Sequence, residues 1–439
     1  MNISHLEIAG LRAFKHAEFD FRPGMNLLVG VNGVGKTTVL DGLRVCLSRV
    51  LPHITPSPSR PLAFETADIA GSLPSLTVTV SLQFGRETFE YSRHQQRENA
   101  IATDPKRIAA QARALVDERL KPGRLRKKTR ELIETYGTPD RDTFLPDLTA
   151  LKAAAVATDA HPFALFFSTR RSLVSDSTAS VASAAGGVAG AFADALVSRE
   201  LRLADLALWL RAQEAQGNEY PLALNHVAAL RRAASRFLPE CKNLHADAHP
   251  RPTLFVEKRG NRLDVRQLSD GERGLLAITL DLARRLSQAN PALSDPVAKG
   301  RAVVLIDELD LHLHPRWQRT IVERLTHTFR GCQFIATTHS PQIVAAVEPE
   351  QVLLLTENGV VRPDRTLGMD SNWILRFLME ADDRPAGASK AIKGVEGLIR
   401  AGEFKKARTA MAAERKRGFE LPEWSVLEAR MARMEVLAK

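Results

Sequence analysis

The chain has 439 residues, a formal net charge of +10, 44% hydrophobic residues and 26% charged residues, which is typical of a soluble globular protein. The three cysteines, Cys46, Cys241 and Cys332, share no motif, which argues against a disulfide framework and a cysteine-based zinc site. No apolar run is long enough to span a bilayer, and the first residues lack the order of a signal peptide. We therefore expect a cytoplasmic location and no membrane contact.

The first fifty residues predict strands that lead into a glycine-rich loop and a helix. Residues 3–9 alternate between apolar and polar side chains, which indicates a half-buried strand, and residues 17–21 predict a second strand. Residues 25–30 predict a buried strand that stops at the first glycine of the loop. After the loop, an apolar periodicity predicts a helix from about residue 36 to residue 50.

The loop GVNGVGKTT matches the P-loop pattern G-x-x-x-x-G-K-[ST] and has the strand and the helix that this motif requires. Its glycines let backbone N–H groups surround phosphates, and the helix start adds its dipole. Lys36 is predicted to reach the β- and γ-phosphates of ATP, and Thr37 to ligate Mg²⁺. The alternative, a chance glycine-rich turn, does not explain the flanking elements. The predicted ATP-binding residues of the loop are Asn32, Gly33, Gly35, Lys36, Thr37 and Thr38.

The middle of the chain is predicted to be mostly helical. A hairpin over residues 75–84 and 87–93 comes first, and residues 101–240 then follow a helical pattern broken by prolines and glycines. Within that range, residues 162–171 (PFALFFSTRR) predict a buried strand that ends at residue 169. The small-residue run 175–193 predicts a mobile loop.

A basic segment lies inside this helical region. Residues 106–141 contain 11 Lys and Arg residues and 5 Asp and Glu residues. Such a charge suits contact with the phosphate backbone of DNA or RNA. A solvated helix face is the commoner explanation of a charge run, and the sequence leaves both interpretations open.

Two later buried strands are followed by residues whose side chains can bind metal ions or take part in catalysis. VVLIDE ends in Asp307, which is predicted to hold Mg²⁺, and Glu308, which is the candidate general base for the attacking water. FIATTHS places His339 just beyond a strand end, where it is predicted to sense the γ-phosphate. Ligands of α/β sheets bind outside the carboxyl ends of the strands, so these residues are expected to meet the P-loop.

The stretch LSDGE predicts a second anion-binding helix start. Ser269 and Glu272 form the S-x-x-E pattern of a capping box, which by itself predicts only a well-started helix. Asp270 and Gly271 leave the backbone accessible, as at an anion site. One chain needs one such site per nucleotide. We therefore expect Ser269, Gly271 and Glu272 to contact ATP that a second copy of the chain holds.

The order of P-loop, LSDGE, LIDELDLHLHP and TTHS resembles the ABC-type ATPase head of the SMC and RecF group and of the overcoming-lysogenisation-defect group. The resemblance implies an α/β fold: a P-loop ABC-type ATPase head with a helical insertion and a C-terminal helical tail. It implies that ATP and Mg²⁺ bind between two heads, so that the chain pairs with itself. It also makes Ser269 and Gly271 signature residues, Asp310 the D-loop residue and His339 the switch histidine, with Asp68 the nearest candidate for the metal-binding glutamine loop.

The end of the chain is similar to PtuA-type ATPases of Septu anti-phage systems and of related retron-associated defence modules. A helix pair is predicted there, joined near residues 418–422, with apolar residues such as Trp424 and Leu427. In those systems the ATPase works with a separate HNH-type nuclease, PtuB, so the resemblance implies such an effector as partner. The alternative is a helical appendage that covers one face of the head. The predicted domains are an N-terminal lobe (1–100), a mostly helical insertion (101–240), a C-terminal lobe (241–365) and an effector-docking tail (366–439).

Two functions follow from this resemblance. The first is an ATP-hydrolysing regulatory subunit of an anti-phage defence complex, whose dimer state controls a nuclease. The second is a RecF-like DNA repair or recombination ATPase that binds DNA directly. RecF-like proteins need no additional helical tail, so the tail favours the first function. The large insertion and the basic charge disfavour a transporter ATPase.

Overall fold

The computed structural model describes residues 1–57, 60–97, 140–157, 161–173, 187–200, 202–247, 252–357, 359–380 and 386–437. The chain forms two compact units, residues 1–370 and residues 371–439. Within the described ranges, the helices are too short or too polar to cross a bilayer. The basic residues 106–139, which carry the predicted contact with DNA or RNA, lie outside the described ranges.

The strands are β1 (Asn2–Leu11), β2 (Phe14–Asp20), β3 (Met25–Val29), β4 (Ser75–Phe84), β5 (Glu87–Gln96), β6 (Arg141–Leu145), β7 (Ala164–Phe167), β8 (Cys241–Asp247), β9 (Thr253–Lys258), β10 (Asn261–Asp264), β11 (Ala302–Ile306), β12 (Cys332–Thr337), β13 (Val352–Thr356) and β14 (Gly359–Val361). The helices are α1 (Lys36–Ile54), α2 (Leu148–Val156), α3 (Gly187–Phe192), α4 (Leu203–Gln216), α5 (Pro221–Phe237), α6 (Asp270–Ala289), α7 (Pro296–Lys299), α8 (Pro315–Gln318), α9 (Ile321–Thr328), α10 (Pro341–Val344), α11 (Ser371–Phe377), α12 (Ala386–Arg400), α13 (Phe404–Lys416) and α14 (Glu423–Leu437).

A six-stranded sheet positions the candidate site. Its strand order is β14-β13-β3-β12-β11-β7, and all neighbours are parallel except β14. All side chains of β3, β11 and β12 are buried, as expected for parallel strands that are covered on both faces. The carboxyl ends of β3, β12, β11 and β7 therefore lie next to one another along one edge.

A five-stranded antiparallel sheet, in the order β2-β1-β4-β5-β6, forms a second layer of the first unit, and β10, β9 and β8 form a separate three-stranded sheet. Side chains alternate between buried and partly exposed along most of β4, so one face of this sheet packs inward. Its inward residues share a hydrophobic core with α1, which lies between the two sheets, and with β11 and β12. The predicted hairpin is confirmed, with β4 and β5 paired from Ser75 with Gln96 to Phe84 with Glu87.

The described part of the range predicted to be mostly helical contains the predicted buried strand, β7, which is confirmed, and a strand that was not predicted, β6. β6 pairs with β5, and β7 pairs with β11, so this part of the chain belongs to the head. The pattern of β6 is hard to read because no side chain of this edge strand is buried. Its place is fixed by contacts with β5, such as the hydrogen bond of 2.7 Å from the Tyr91 hydroxyl to Asp142.

The small-residue run that predicted a mobile loop is partly helical. Residues 174–186 lie outside the described ranges, but Gly187–Phe192 form α3. Phe192 is 2% exposed and packs edge-on against Phe163, with ring centroids 5.5 Å apart. Arg285 of α6 donates hydrogen bonds to the carbonyls of Ala191 and Ala193. These tertiary contacts order a segment whose composition favours a loop.

The described residues of the second unit form three main helices besides the short α11, and not only the predicted pair. α12 precedes the pair α13 and α14, and the chain turns between α12 and α13 at Gly402, which has φ +74°. Trp424 is fully buried, and its indole N–H donates to the carbonyl of Phe419 at 2.7 Å. Leu427 is also buried, so these two residues form the core of the unit and do not offer a docking surface.

Candidate functional site

The loop between β3 and α1 depends on glycine at position 35. Gly35 has φ +107°, a conformation that other residues rarely adopt, and a Cβ atom there would lie 2.6 Å from the ring of Phe14. Asn32 and Gly33 are exposed, whereas Thr38 is buried in the first turn of α1. The loop therefore presents its backbone outward and anchors its far end in the core.

Lys36 lies at the start of α1 and is 6% exposed. Its ammonium group donates hydrogen bonds of 2.8 Å to the carbonyls of Gly30 and Val31, so its side chain curls back over the loop. Burial lowers the pKa of Lys36, while the charges of Asp307, Glu308 and other acids act in the opposite direction. A cation is therefore held next to the acids of β11.

Asp307, at the end of β11, contacts the end of β12 and lies near the start of α1. Its Oδ1 accepts a hydrogen bond of 2.7 Å from the Thr337 hydroxyl and lies 3.4 Å from the Thr37 hydroxyl. Thr37 and Asp307 thus bring two oxygen donors together, which is the hard ligand type that Mg²⁺ prefers. These residues fit the ion. If bound there, Mg²⁺ would neutralise part of the negative charge of the phosphates.

Glu308 has φ +49°, which is unusual for a non-glycine residue and costs about 1–3 kcal/mol. Its N–H donates to the Thr337 hydroxyl at 2.7 Å. Its carbonyl accepts from the N–H of Leu311 at 2.9 Å and from the guanidinium of Arg171 at 2.6 Å. The surrounding structure therefore fixes the strained backbone on both sides of the candidate general base.

Asp310 and His339 are joined within the chain. Asp310 Oδ1 accepts hydrogen bonds from the Thr338 hydroxyl at 2.6 Å and from the backbone N–H of His339 at 3.0 Å. Burial lowers the pKa of the His339 imidazole, and the charge of Lys36 lowers it further. His339 is thus predominantly neutral at neutral pH. The predicted D-loop and switch residues form one polar cluster with the acids of β11.

The predicted capping box at the start of α6 is confirmed. The Ser269 hydroxyl accepts from the N–H of Glu272 at 3.4 Å and lies 2.9 Å from Glu272 Oε2, to which it can donate. Glu272 also forms an ion pair with Lys258 of β9 and is 6% exposed. The structure therefore commits Glu272 to holding the helix start within its own chain.

The structure explains why residue 271 is a glycine. A Cβ atom at this position would clash with the carbonyl oxygen of His312, so the segment after β11 lies directly against the start of α6. Ser269 and Asp270 are exposed. Among the described residues, no hydrogen bond joins Ser269 to the P-loop of the same chain.

Asp68, the predicted glutamine-loop substitute, is engaged in an ion pair. One oxygen of Asp68 accepts from Arg12 Nε at 2.8 Å, and the other accepts from the N–H of Glu65 at 2.8 Å. Arg12 also pairs with Asp41 of α1 at 2.6 Å. The structure thus explains Asp68 as an anchor for Arg12 and does not join it to Asp307.

Two residues of the site were not predicted. Thr337 bridges Asp307 and Glu308 from the end of β12, and Arg171 contacts the backbone of both acids from the turn after β7. Both residues lie at the end of a buried strand, which is the signal that identified Asp307. That signal applies only when the strand order is known, because the sheet edge decides which strand ends meet.

Comparison with known families agrees with this geometry. The model described as "AAA domain" matches residues 5–145, and the model described as "AAA domain, putative AbiEii toxin, Type IV TA system" matches residues 215–345. The chain carries AAA-type ATPase domains. The predicted resemblance to P-loop ATPase heads is therefore confirmed, and so is the α/β fold class.

Three curated relatives are similar to parts of this chain. The retron Ec83 probable ATPase of Escherichia coli is 43% identical over 150 residues, which cover 34% of this chain and 27% of that protein. The Septu protein PtuA of Bacillus mycoides is 39% identical over 94 residues, 21% of this chain and 13% of that protein. The DNA replication and repair protein RecF of Bifidobacterium adolescentis is 36% identical over 91 residues, 21% of each chain. The matches thus span about a quarter or less of each relative's length.

Proposed function

We propose that the chain binds and hydrolyses ATP with Mg²⁺ as the regulatory subunit of an anti-phage defence complex, in which an ATP-bound dimer of heads controls a separate HNH-type nuclease. The observation that carries the ATPase part is the meeting of Lys36, Thr37 and Asp307 at one sheet edge, with Glu308 held beside them. The retron and Septu relatives support the defence role.

In the proposed reaction, each residue has a distinct task. The P-loop N–H groups and the Lys36 ammonium bind the phosphates, which positions ATP and balances its charge. Glu308 accepts a hydrogen bond from the attacking water and orients it toward the γ-phosphorus. Neutral His339 lies next to Lys36 and can donate a hydrogen bond from its ring N–H to the γ-phosphate. Thr37 and Asp307 would hold Mg²⁺.

The dimer part of the proposal rests on the start of α6. Ser269 is exposed there, and no described hydrogen bond joins it to its own P-loop. A helix start carries the positive end of the helix dipole, which favours an anion, so the partner in this proposal is the γ-phosphate of ATP on a second copy.

Mixing two inactive variants tests whether the site is shared between chains. Ser269→Arg blocks the helix start and Lys36→Ala disables the P-loop, so a mixed dimer retains one intact composite site. At an ATP concentration near the wild-type Kd, we expect each variant alone to show little activity. An equal mixture should regain roughly a quarter of wild-type ATPase activity, because half of the two-fold dimers are mixed. ATPase assays with light scattering measure this. A mixture no more active than its components contradicts sharing between chains.

The second unit is proposed to dock the nuclease. Removal of residues 371–439 takes away one complete unit with its own core and leaves the candidate site untouched. We expect the truncated chain to hydrolyse ATP. It should lose co-purification with any HNH-type protein that a neighbouring gene encodes, together with protection against phage. Trp424→Ala is the matched variant, because it removes the central core side chain of this unit without deleting any residue.

The same experiment separates the proposal from the RecF-like alternative. If the truncated chain still captures the nuclease, docking lies on the first unit. If no nuclease is captured by the full chain and DNA binding accounts for its activity, the RecF relative is the better guide. Loss of ATPase activity from a folded, truncated chain contradicts an independent docking unit.

A further inference from the structure

The strand β7 brings a buried arginine to the same sheet edge as the acids. Arg171 lies in the short 3-10 turn Thr169–Ser172, which begins two residues after β7. β7 runs parallel to β11 and is its outer neighbour, so this turn lies beside Asp307. Arg171 is only 4% exposed, which is rare for an arginine unless it is fully hydrogen-bonded.

The guanidinium of Arg171 holds the backbone of both acids. Its Nη1 donates to the carbonyl of Asp307 at 2.7 Å and to that of Ser168 at 3.2 Å, and its Nη2 donates to the carbonyl of Glu308 at 2.6 Å. One planar, rigid group thus contacts two consecutive carbonyls. The second of these belongs to the residue with φ +49°, so the fork fixes the direction from which the Glu308 side chain leaves the backbone.

Arg171 remains charged in this position. Burial lowers its pKa to about 10, and the nearby carboxylates of Asp310, Asp307 and Glu308 oppose that shift. A pKa well above neutrality leaves all guanidinium N–H donors in place under ordinary conditions. The contact is therefore a charge-assisted one, which is stronger and geometrically stricter than a neutral hydrogen bond.

The other end of the same turn contacts α6, the helix that starts at Ser269. Arg273 of α6 donates from Nε to the carbonyl of Ser172 at 3.2 Å. Its Nη1 donates to the carbonyls of Leu268 and Arg266, at 2.9 and 3.0 Å, which immediately precede the helix. Within the turn Thr169–Ser172, Arg171 thus contacts the two acids that follow β11, and the next residue, Ser172, contacts the start of α6.

We propose that Arg171 is a positioning residue for ATP hydrolysis and that the turn Thr169–Ser172 couples the position of α6 to that of Glu308 within one chain. The inference rests on the proposed function. When the start of α6 engages ATP on a second copy, a shift of the helix is passed through Arg273 and Ser172 to Arg171. The backbone of Glu308 then follows, so hydrolysis depends on head pairing.

Arg171→Lys tests the positioning role, because it keeps the charge and replaces the fork by a single ammonium. We expect kcat to fall ~10–10²-fold, the size of effect that a small misplacement of a reacting group produces. The Kd for a fluorescent ATP analogue should stay within about twofold of the wild-type value, since the P-loop is untouched. Arg170→Lys is the matched control: its side chain is exposed in the same turn, and kcat should not change.

Arg273→Lys tests the coupling. It should also lower kcat, and the double variant should be little slower than Arg171→Lys alone, because both changes break one path. If the losses of kcat in the two single variants multiply in the double variant, the proposed coupling is overturned. A normal kcat for Arg171→Lys, or equal losses of kcat and of ATP binding, would overturn the positioning role. Failure of the proposed function looks different: the wild-type chain itself would not hydrolyse ATP, or Glu308→Gln would hydrolyse it normally.

Discussion

Glu308→Gln should bind ATP normally and hydrolyse it ~10²–10⁴-fold more slowly, as expected when a general base is lost. Glutamine has the shape of glutamate but cannot take up a proton from water at neutral pH. The backbone contacts of residue 308 use its N–H and carbonyl, which the substitution keeps. Steady-state ATPase assays measure kcat, and equilibrium binding of a fluorescent ATP analogue measures affinity.

The matched control is Glu323→Gln on α9, an isosteric change at an exposed glutamate. This variant should keep wild-type turnover. Slow hydrolysis should also trap the ATP-bound state, so Glu308→Gln should show more dimer by light scattering in the presence of ATP. Near-normal turnover in Glu308→Gln would remove Glu308 from the mechanism, whatever its geometry.

Lys36→Ala should weaken ATP binding more than it slows the hydrolysis of ATP that is already bound. The Lys36 ammonium is buried against two loop carbonyls and lies near Asp307 and Glu308, so we expect it to be the cation that faces the phosphates. A charge-assisted hydrogen bond is worth about 1.5–3 kcal/mol, so the Kd for ATP should rise ~10–100-fold. Isothermal titration calorimetry in the presence of Mg²⁺ measures the change.

Lys405→Ala is the matched control for charge. It removes the same positive charge from an exposed position on α13, in the other unit, and should leave the Kd for ATP unchanged. Thermal unfolding without nucleotide shows whether Lys36→Ala keeps the fold. If a folded Lys36→Ala variant binds ATP as tightly as the wild type, the phosphates do not lie against this lysine.

The P-loop could be predicted because its determinants are contiguous in sequence. A buried strand, glycines that permit a positive φ and a helix start all occur within residues 25–40, and the structure has each of them. The capping box of Ser269 and Glu272 is equally local. The roles assigned to these residues toward ATP stay predictions that the variants above test.

Other features depend on contacts between distant parts of the chain. The edge strand β6 has no buried residue and is placed by its pairing with β5. α3 is ordered by Arg285 and Phe163, far along the chain from its own small residues. Glu272 was predicted to contact ATP, but its ion pair with Lys258 appears only once β9 lies beside α6. None of these contacts leaves a periodic pattern in the sequence.

The sequence by itself determined which strands are buried and which residues stand at their ends, because burial on both faces demands continuous apolar runs and chemistry must follow them. It thereby predicted Asp307, Glu308 and His339 as site residues, while Lys36 was predicted from the P-loop motif. Only the tertiary structure decided that β7 is the neighbour of β11, and hence that Arg171 donates hydrogen bonds to the backbone carbonyls of Asp307 and Glu308. Strand order is set by packing over the whole domain. Every residue has a backbone carbonyl, so an arginine that donates to carbonyls requires no particular residue type in its partner, and no sequence motif can reveal the contact.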